Sequence, residues 1–169
     1  MRTIEGPVDG SGLRLAVVAS RFDKALVLDR LIEGATVTAR EYGVQDDALD
    51  VVRVPGAFEL PVAARRLAAS GRYDAIVCIG SVVRGETPHF DYVAGEAARG
   101  IQDAARDFDM PITFGVITAD NDEQARERAG GKVGNKGSEA MLAAIEMATL
   151  FARLAHEPSR PRGIGEQQA

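Results

Sequence analysis

Apolar positions along this chain fall into two alternating patterns. Four short runs, residues 13–19, 49–54, 75–79 and 112–118, are nearly continuous and rich in β-branched side chains. Runs of this length and continuity predict strands buried on both faces, where no solvent side imposes an alternating polar residue. Between the runs, apolar residues recur at helical spacing. Residues 25–42 set Leu28, Leu31, Ile32, Ala35, Val37 and Ala39 largely along one side, and Gly43 supplies a stop. Residues 59–69 repeat the pattern with Leu60, Ala63, Ala64, Leu67 and Ala68 before Gly71. Thr87-Pro88 reads as an N-cap followed by proline at the first helical position, predicting a helix over 88–108. Asp120 or Asn121 can cap a short helix ending at Gly130-Gly131, and residues 136–156 form a last amphipathic stretch.

Strands alternating with helices imply β-α-β units, and right-handed crossovers give a parallel sheet covered on both faces. The expectation is an α/β, three-layer, flavodoxin-like sandwich on a four-stranded parallel sheet. A length of 169 residues suits one domain. We assign it to residues 1–156. Residues 157–169, with several Gly and Pro and almost no apolar side chains, are expected to be a disordered tail.

Composition narrows the classes. The chain is 46% hydrophobic and 27% charged, as packed soluble domains are. A net charge of −5 without a basic block argues against a nucleic-acid surface. Cys78 alone allows no internal disulfide, and with only His89 and His156 beside it a structural zinc site is not expected. The ten-residue uncharged run 110–119 is half of what a membrane span needs, and no basic-then-apolar leader opens the chain. A cytoplasmic protein is expected.

Ligands of open α/β sheets collect beyond the carboxyl ends of the strands. The segments there are 20–23, 55–59, 80–89 and 119–122. The third runs from a glycine into a helix start, whose free N–H groups and positive dipole end favour an anion near Gly85, Glu86 and Thr87. It reads equally as a plain β-α turn, and its spacing matches neither a Walker loop nor a dinucleotide fingerprint. His89, in the first turn of that helix, suits proton transfer near neutral pH; a packing or capping histidine is the competing reading. Phe22 and Phe58 fall just past strand ends, where a ring can stack on a planar heterocycle or simply pack. Arg126 and Arg128 lie on different helix faces, so one can turn inward to grip phosphate oxygens, or both can be solvated. Lys136 stands at a helix N-terminus, where a cation is misplaced unless an anion accompanies it.

These segments, taken in order, resemble the lumazine synthase family over about residues 4–155. The likeness lies in Val17-Val18-Ala19-Ser20-Arg21-Phe22, in the stretch from Val52 through Pro55-Gly56-Ala57-Phe58-Glu59 to Pro61, in Gly80-Ser81-Val82-Val83-Arg84-Gly85-Glu86-Thr87-Pro88-His89-Phe90-Asp91-Tyr92-Val93, in Phe114-Gly115-Val116-Ile117-Thr118, in Glu123-Gln124-Ala125 with Arg128-Ala129-Gly130, and in Gly134-Asn135-Lys136-Gly137. The resemblance implies condensation of 5-amino-6-(D-ribitylamino)uracil with L-3,4-dihydroxy-2-butanone 4-phosphate, without metal or cofactor. It implies that Phe22 stacks on the uracil, that Ala57, Phe58 and Glu59 contact the ribityl-aminouracil, and that Ser81, Val82 and Val83 line the same substrate. Glu86 and Thr87 would offer amides to the phosphate, Arg128 would pair with it, and His89 would move protons. Phe114 would close the pocket from a neighbouring subunit, with Lys136 nearby. The acid at Glu86 departs from the commoner small or neutral residue, so its side chain is expected to turn away from the phosphate. The resemblance further implies pentamers, a sheet that a neighbour's N-terminal strand can extend, and, from the short turn 130–134, a 60-subunit shell. A flavin- or lumazine-binding cage with little catalysis and an archaeal-type riboflavin synthase are the alternatives.

Overall fold

The computed structural model describes residues 1–156. β1 (Leu15–Ser20), β2 (Leu49–Val54), β3 (Ala75–Val83) and β4 (Ile112–Ala119) form one sheet in the order β2-β1-β3-β4, every pairing parallel. Helices α1 (Leu28–Glu41), α2 (Leu60–Ala68), α3 (His89–Phe108) and α5 (Lys136–Ala155) cover its faces, and α4 (Asp122–Glu127) follows β4. Side chains alternating along the central strands divide the core. Leu15, Val17, Val77 and Ile79 pack under α1 and α5, while Ala16, Val18, Ile76 and Cys78 pack under α2 and α3. The fold is flavodoxin-like, as the alternation of patterns predicts.

The path leaves β1 outward to β2, then returns across β1 to β3. A crevice therefore opens between the carboxyl ends of β1 and β3, where the strand order reverses. Gly137 sets how closely α5 seats against α1, since a Cβ there would stand 2.0 Å from the Leu31 carbonyl oxygen. Residues 5–7 lie along the outer side of α5, where Thr149 donates to the Pro7 carbonyl at 2.7 Å and Arg153 to that of Glu5 at 2.7 Å.

Four sequence expectations need correction. β3 runs on through Ser81-Val82-Val83, because β4 pairs with every residue from Gly80 to Val83, so the connecting loop shrinks to 84–88. β2 is an edge strand with exposed Asp50, Val51 and Arg53, so its apolar run is not buried on both faces. α3 starts at His89 with Pro88 at its N-cap, and no side chain, Thr87 included, caps it. Between α4 and α5 stands a small antiparallel pair, β5 (Ala129–Gly131) and β6 (Gly134–Asn135), that no periodicity announces in segments so short. The tail expected over 157–169 lies outside the described residues.

Candidate functional site

A cavity of about 440 Å³ opens at the reversal between β1 and β3, on the α2/α3 side of the sheet. Its first wall is the loop after β1. The Phe22 N–H donates to the Pro55 carbonyl at 2.9 Å, tying this loop to the end of β2. The Phe22 ring nevertheless stays 70% exposed. Opposite it, the 3-10 turn at Ala57–Glu59 presents buried Ala57 and a Phe58 that is 58% exposed. Two large rings left open at one cavity mouth have no packing reason to be there, and a flat ligand supplies one.

The floor is the end of β3. At Gly80 a Cβ would lie 3.2 Å from Leu60 and 3.5 Å from Ala57, so the absent side chain lets the start of α2 close on the strand. Ser81, Val82 and Val83 line the cavity. The Ser81 hydroxyl is buried and meets no partner among the described residues. An orphaned buried hydroxyl costs about 1–3 kcal/mol, a cost that a polar ligand atom removes.

The third wall is the loop into α3. Gly85, Thr87 and His89 line it, with Phe90 and Val93 on the same helix face at one-turn spacing. The His89 imidazole is exposed and hydrogen-bonds to no described residue, so both ring nitrogens are available. Lys24 also lines the cavity and forms no ion pair with a described residue. Sequence reasoning passed over Lys24, Phe90 and Val93. The first sits two residues beyond Phe22 and Val93 lies one turn after His89 on the same face, which spacing marks, whereas Phe90 is brought to the cavity by its packing and not by spacing.

One chain thus gathers Phe22, Ala57, Phe58, Ser81, Val82, Val83, Thr87 and His89 around one space. Five other expected residues do not line it. Glu59 is half-buried next to Phe58 and accepts from the Gly56 N–H at 2.8 Å, which fixes the turn. Glu86 is exposed between two lining residues. Phe114 stands on edge strand β4, on the α2/α3 face, and is 44% exposed. Arg128 is half-buried after α4 and donates to the Gln124 carbonyl at 2.9 Å. Lys136 pairs with Glu139 one helical turn on, at 2.6 Å, so the anion that a lysine at this helix start requires is an internal carboxylate. Arg128 and Lys136 are joined through their backbones, and the start of α5 packs on the face of β4 opposite Phe114. The Lys136 N–H donates to the Arg128 carbonyl at 2.9 Å, and the Lys136 carbonyl lies 3.4 Å from where a Cβ on Gly115 would stand.

A cavity bearing aromatic rings and an imidazole at the switch point of a flavodoxin-like sheet has the form of a small-molecule site. Residues 12–152 match the family model described as 6,7-dimethyl-8-ribityllumazine synthase, and the chain belongs to that family.

Proposed function

We propose that this protein condenses 5-amino-6-(D-ribitylamino)uracil with L-3,4-dihydroxy-2-butanone 4-phosphate to give 6,7-dimethyl-8-ribityllumazine, phosphate and water. The observation carrying this reading is the meeting of Phe22, Phe58, the orphaned Ser81 hydroxyl and His89 in one cavity of a chain of this family.

Phe22 stacks on the pyrimidine, and Ser81, Val82 and Val83 border it. Ala57, Phe58 and Glu59 take the ribityl chain, for which Glu59 keeps one carboxylate oxygen. The amides of Glu86 and Thr87, at the positive end of α3, hold the phosphate. The 5-amino nitrogen adds to the ketone carbon, and loss of one water gives an imine. Removal of the proton on the next carbon drives the terminal C–O bond to break, and phosphate departs with that electron pair. The enol left behind takes a proton on its terminal carbon and becomes a new ketone; the ribitylamino nitrogen adds to that ketone, and a second water leaves as the ring closes. His89 relays these protons. Phosphate is already a good leaving group, so the largest contribution asked of the protein is to hold two substrates in line, which can lower a barrier by about 7–11 kcal/mol at best.

In the same reading, Phe114, Arg128 and Lys136 serve the cavity of a neighbouring subunit, with Arg128 pairing to the phosphate. The assembly is a pentameric ring, its sheets extended by neighbours' N-terminal strands, and twelve rings close a 60-subunit shell in the cytoplasm. Purified protein given both substrates should form a product with lumazine absorbance and stoichiometric phosphate. No product from both substrates would overturn the reading, and riboflavin made from lumazine alone would replace it with a riboflavin synthase.

A further inference from the structure

We propose that Arg84 is a positioning residue that fixes where His89 stands by clamping the first turn of α3 to the end of β4. The catalytic part of this claim rests on the reaction proposed above; the placement of the imidazole does not.

Arg84 is the first residue after β3, and its backbone N–H donates to the Ala119 carbonyl at 2.9 Å. Its side chain then reaches in two directions. Nε donates to Asp120 at 3.0 Å, just past β4. One terminal nitrogen approaches the Asp91 carboxylate at 3.3 Å, while the guanidinium carbon lies 4.1 Å from the centre of the Phe90 ring. Phe90 and Asp91 are the second and third residues of α3, immediately after His89. Phe90 and Val93 pack that turn against the core, but Pro88 offers no side-chain cap and the His89 ring bonds to no described residue, so the polar side-chain contacts that fix it are those of Arg84. The position of the imidazole is therefore inherited from the turn, whose polar anchor is Arg84.

Only a guanidinium suits this task. It is planar, so it stacks on a ring while its edge donates to two carboxylates, whereas an ammonium is a compact charge that cannot do both. The Arg84 side chain is 43% exposed, and ion pairs at such exposure add little to stability. Its effect should therefore appear in rate, since displacement of a catalytic group by about 1 Å can cost about a hundredfold.

The experiment compares the assembled protein with Arg84→Lys and Arg84→Met, each alone and combined with His89→Ala. Both single variants should lower kcat about tenfold to a hundredfold while KM for the pyrimidine changes less than about threefold. Added to His89→Ala, they should lower the rate no further, because a residue acting through His89 has nothing left to position. Acylation by diethyl pyrocarbonate, followed by peptide mass spectrometry, should show His89 reacting at a rate several-fold different from that in the parent protein. His156, the other histidine, should be unchanged. An unaltered kcat, losses that multiply with His89→Ala, or an unaltered ratio of His89 to His156 acylation would each overturn the proposal. If the parent protein makes no lumazine, the reaction reading fails by itself and the acylation ratio still decides whether Arg84 places His89.

Discussion

At the scale of single residues, the imidazole of His89 separates chemistry from architecture. It is exposed and hydrogen-bonds to no described residue, so removing it should leave the packed core intact. His89→Ala is expected to lower kcat about 10²–10⁴-fold, the ordinary worth of a positioned acid–base group, with assembly unchanged by light scattering. Cys78 shows the opposite case. It is fully buried on β3, and burial pushes its thiol up to about 12. Tyr73 is raised for the same first reason, burial, and then by its hydrogen bond to Asp50. In the alkaline range the folded chain keeps protons that the unfolded chain releases. Stability is thus fully present below the ordinary thiol range and declines as pH rises from about 9 toward about 12. Denaturant midpoints should fall between about pH 8 and about pH 11, and iodoacetamide should leave Cys78 unlabelled in the native protein near neutral pH. A midpoint that rises over that range, or prompt native labelling, would contradict this. Residue chemistry was partly legible in the sequence. An exposed aromatic after a strand and a histidine after a Thr-Pro turn mark themselves, whereas Lys136 asked for an anion without revealing that Glu139 is that anion.

At the scale of elements, the sequence is readable wherever local signals and tertiary contacts agree. Apolar continuity located β1, and Asn121 caps α4 by accepting from the Gln124 N–H. The failures occur where long-range pairing decides. Gly80 and Ser81 have poor strand propensity, yet β4 extends the ladder through them. The Thr87-Pro88 signature promised a cap, but the α3 turn is held instead from Arg84, whose partners Asp91 and Asp120 are seven and thirty-six residues away. At α5 a side chain that sequence reasoning did not single out forms the cap and does more besides. The Asn135 side-chain oxygen accepts from the N–H groups of Gly137 and Ser138, while its nitrogen donates to the Arg30 carbonyl at 2.9 Å. Asn135→Ala should therefore cost about 1–2 kcal/mol for the cap and about 1 kcal/mol more for the link to α1, read from the shift in a urea midpoint. A change below about 0.5 kcal/mol would mean that the cap is dispensable.

For the whole molecule, the informative fact is where the expected site divides. Phe22, Phe58 and His89 share the cavity, while Phe114 on β4 and the joined pair of Arg128 and Lys136 lie outside it. The family resemblance already put Phe114 on a neighbouring subunit, but motif spacing alone could not foresee the division, because it says which residues belong to a site and not which copy supplies them. If a ring of identical subunits closes each cavity with its neighbour's β4 edge, the contact is heterologous and every site needs two chains. His89→Ala and Arg128→Ala should then each be nearly inactive alone. Unfolded together at equal amounts and reassembled, they should regain activity, because some cavities receive an intact His89 from one subunit and an intact Arg128 from the next. Random mixing in a ring makes that fraction about a quarter of all sites. A co-assembly no more active than the separate variants would mean that a single chain holds the whole site, and Arg128 would have to reach the cavity by moving within its own subunit.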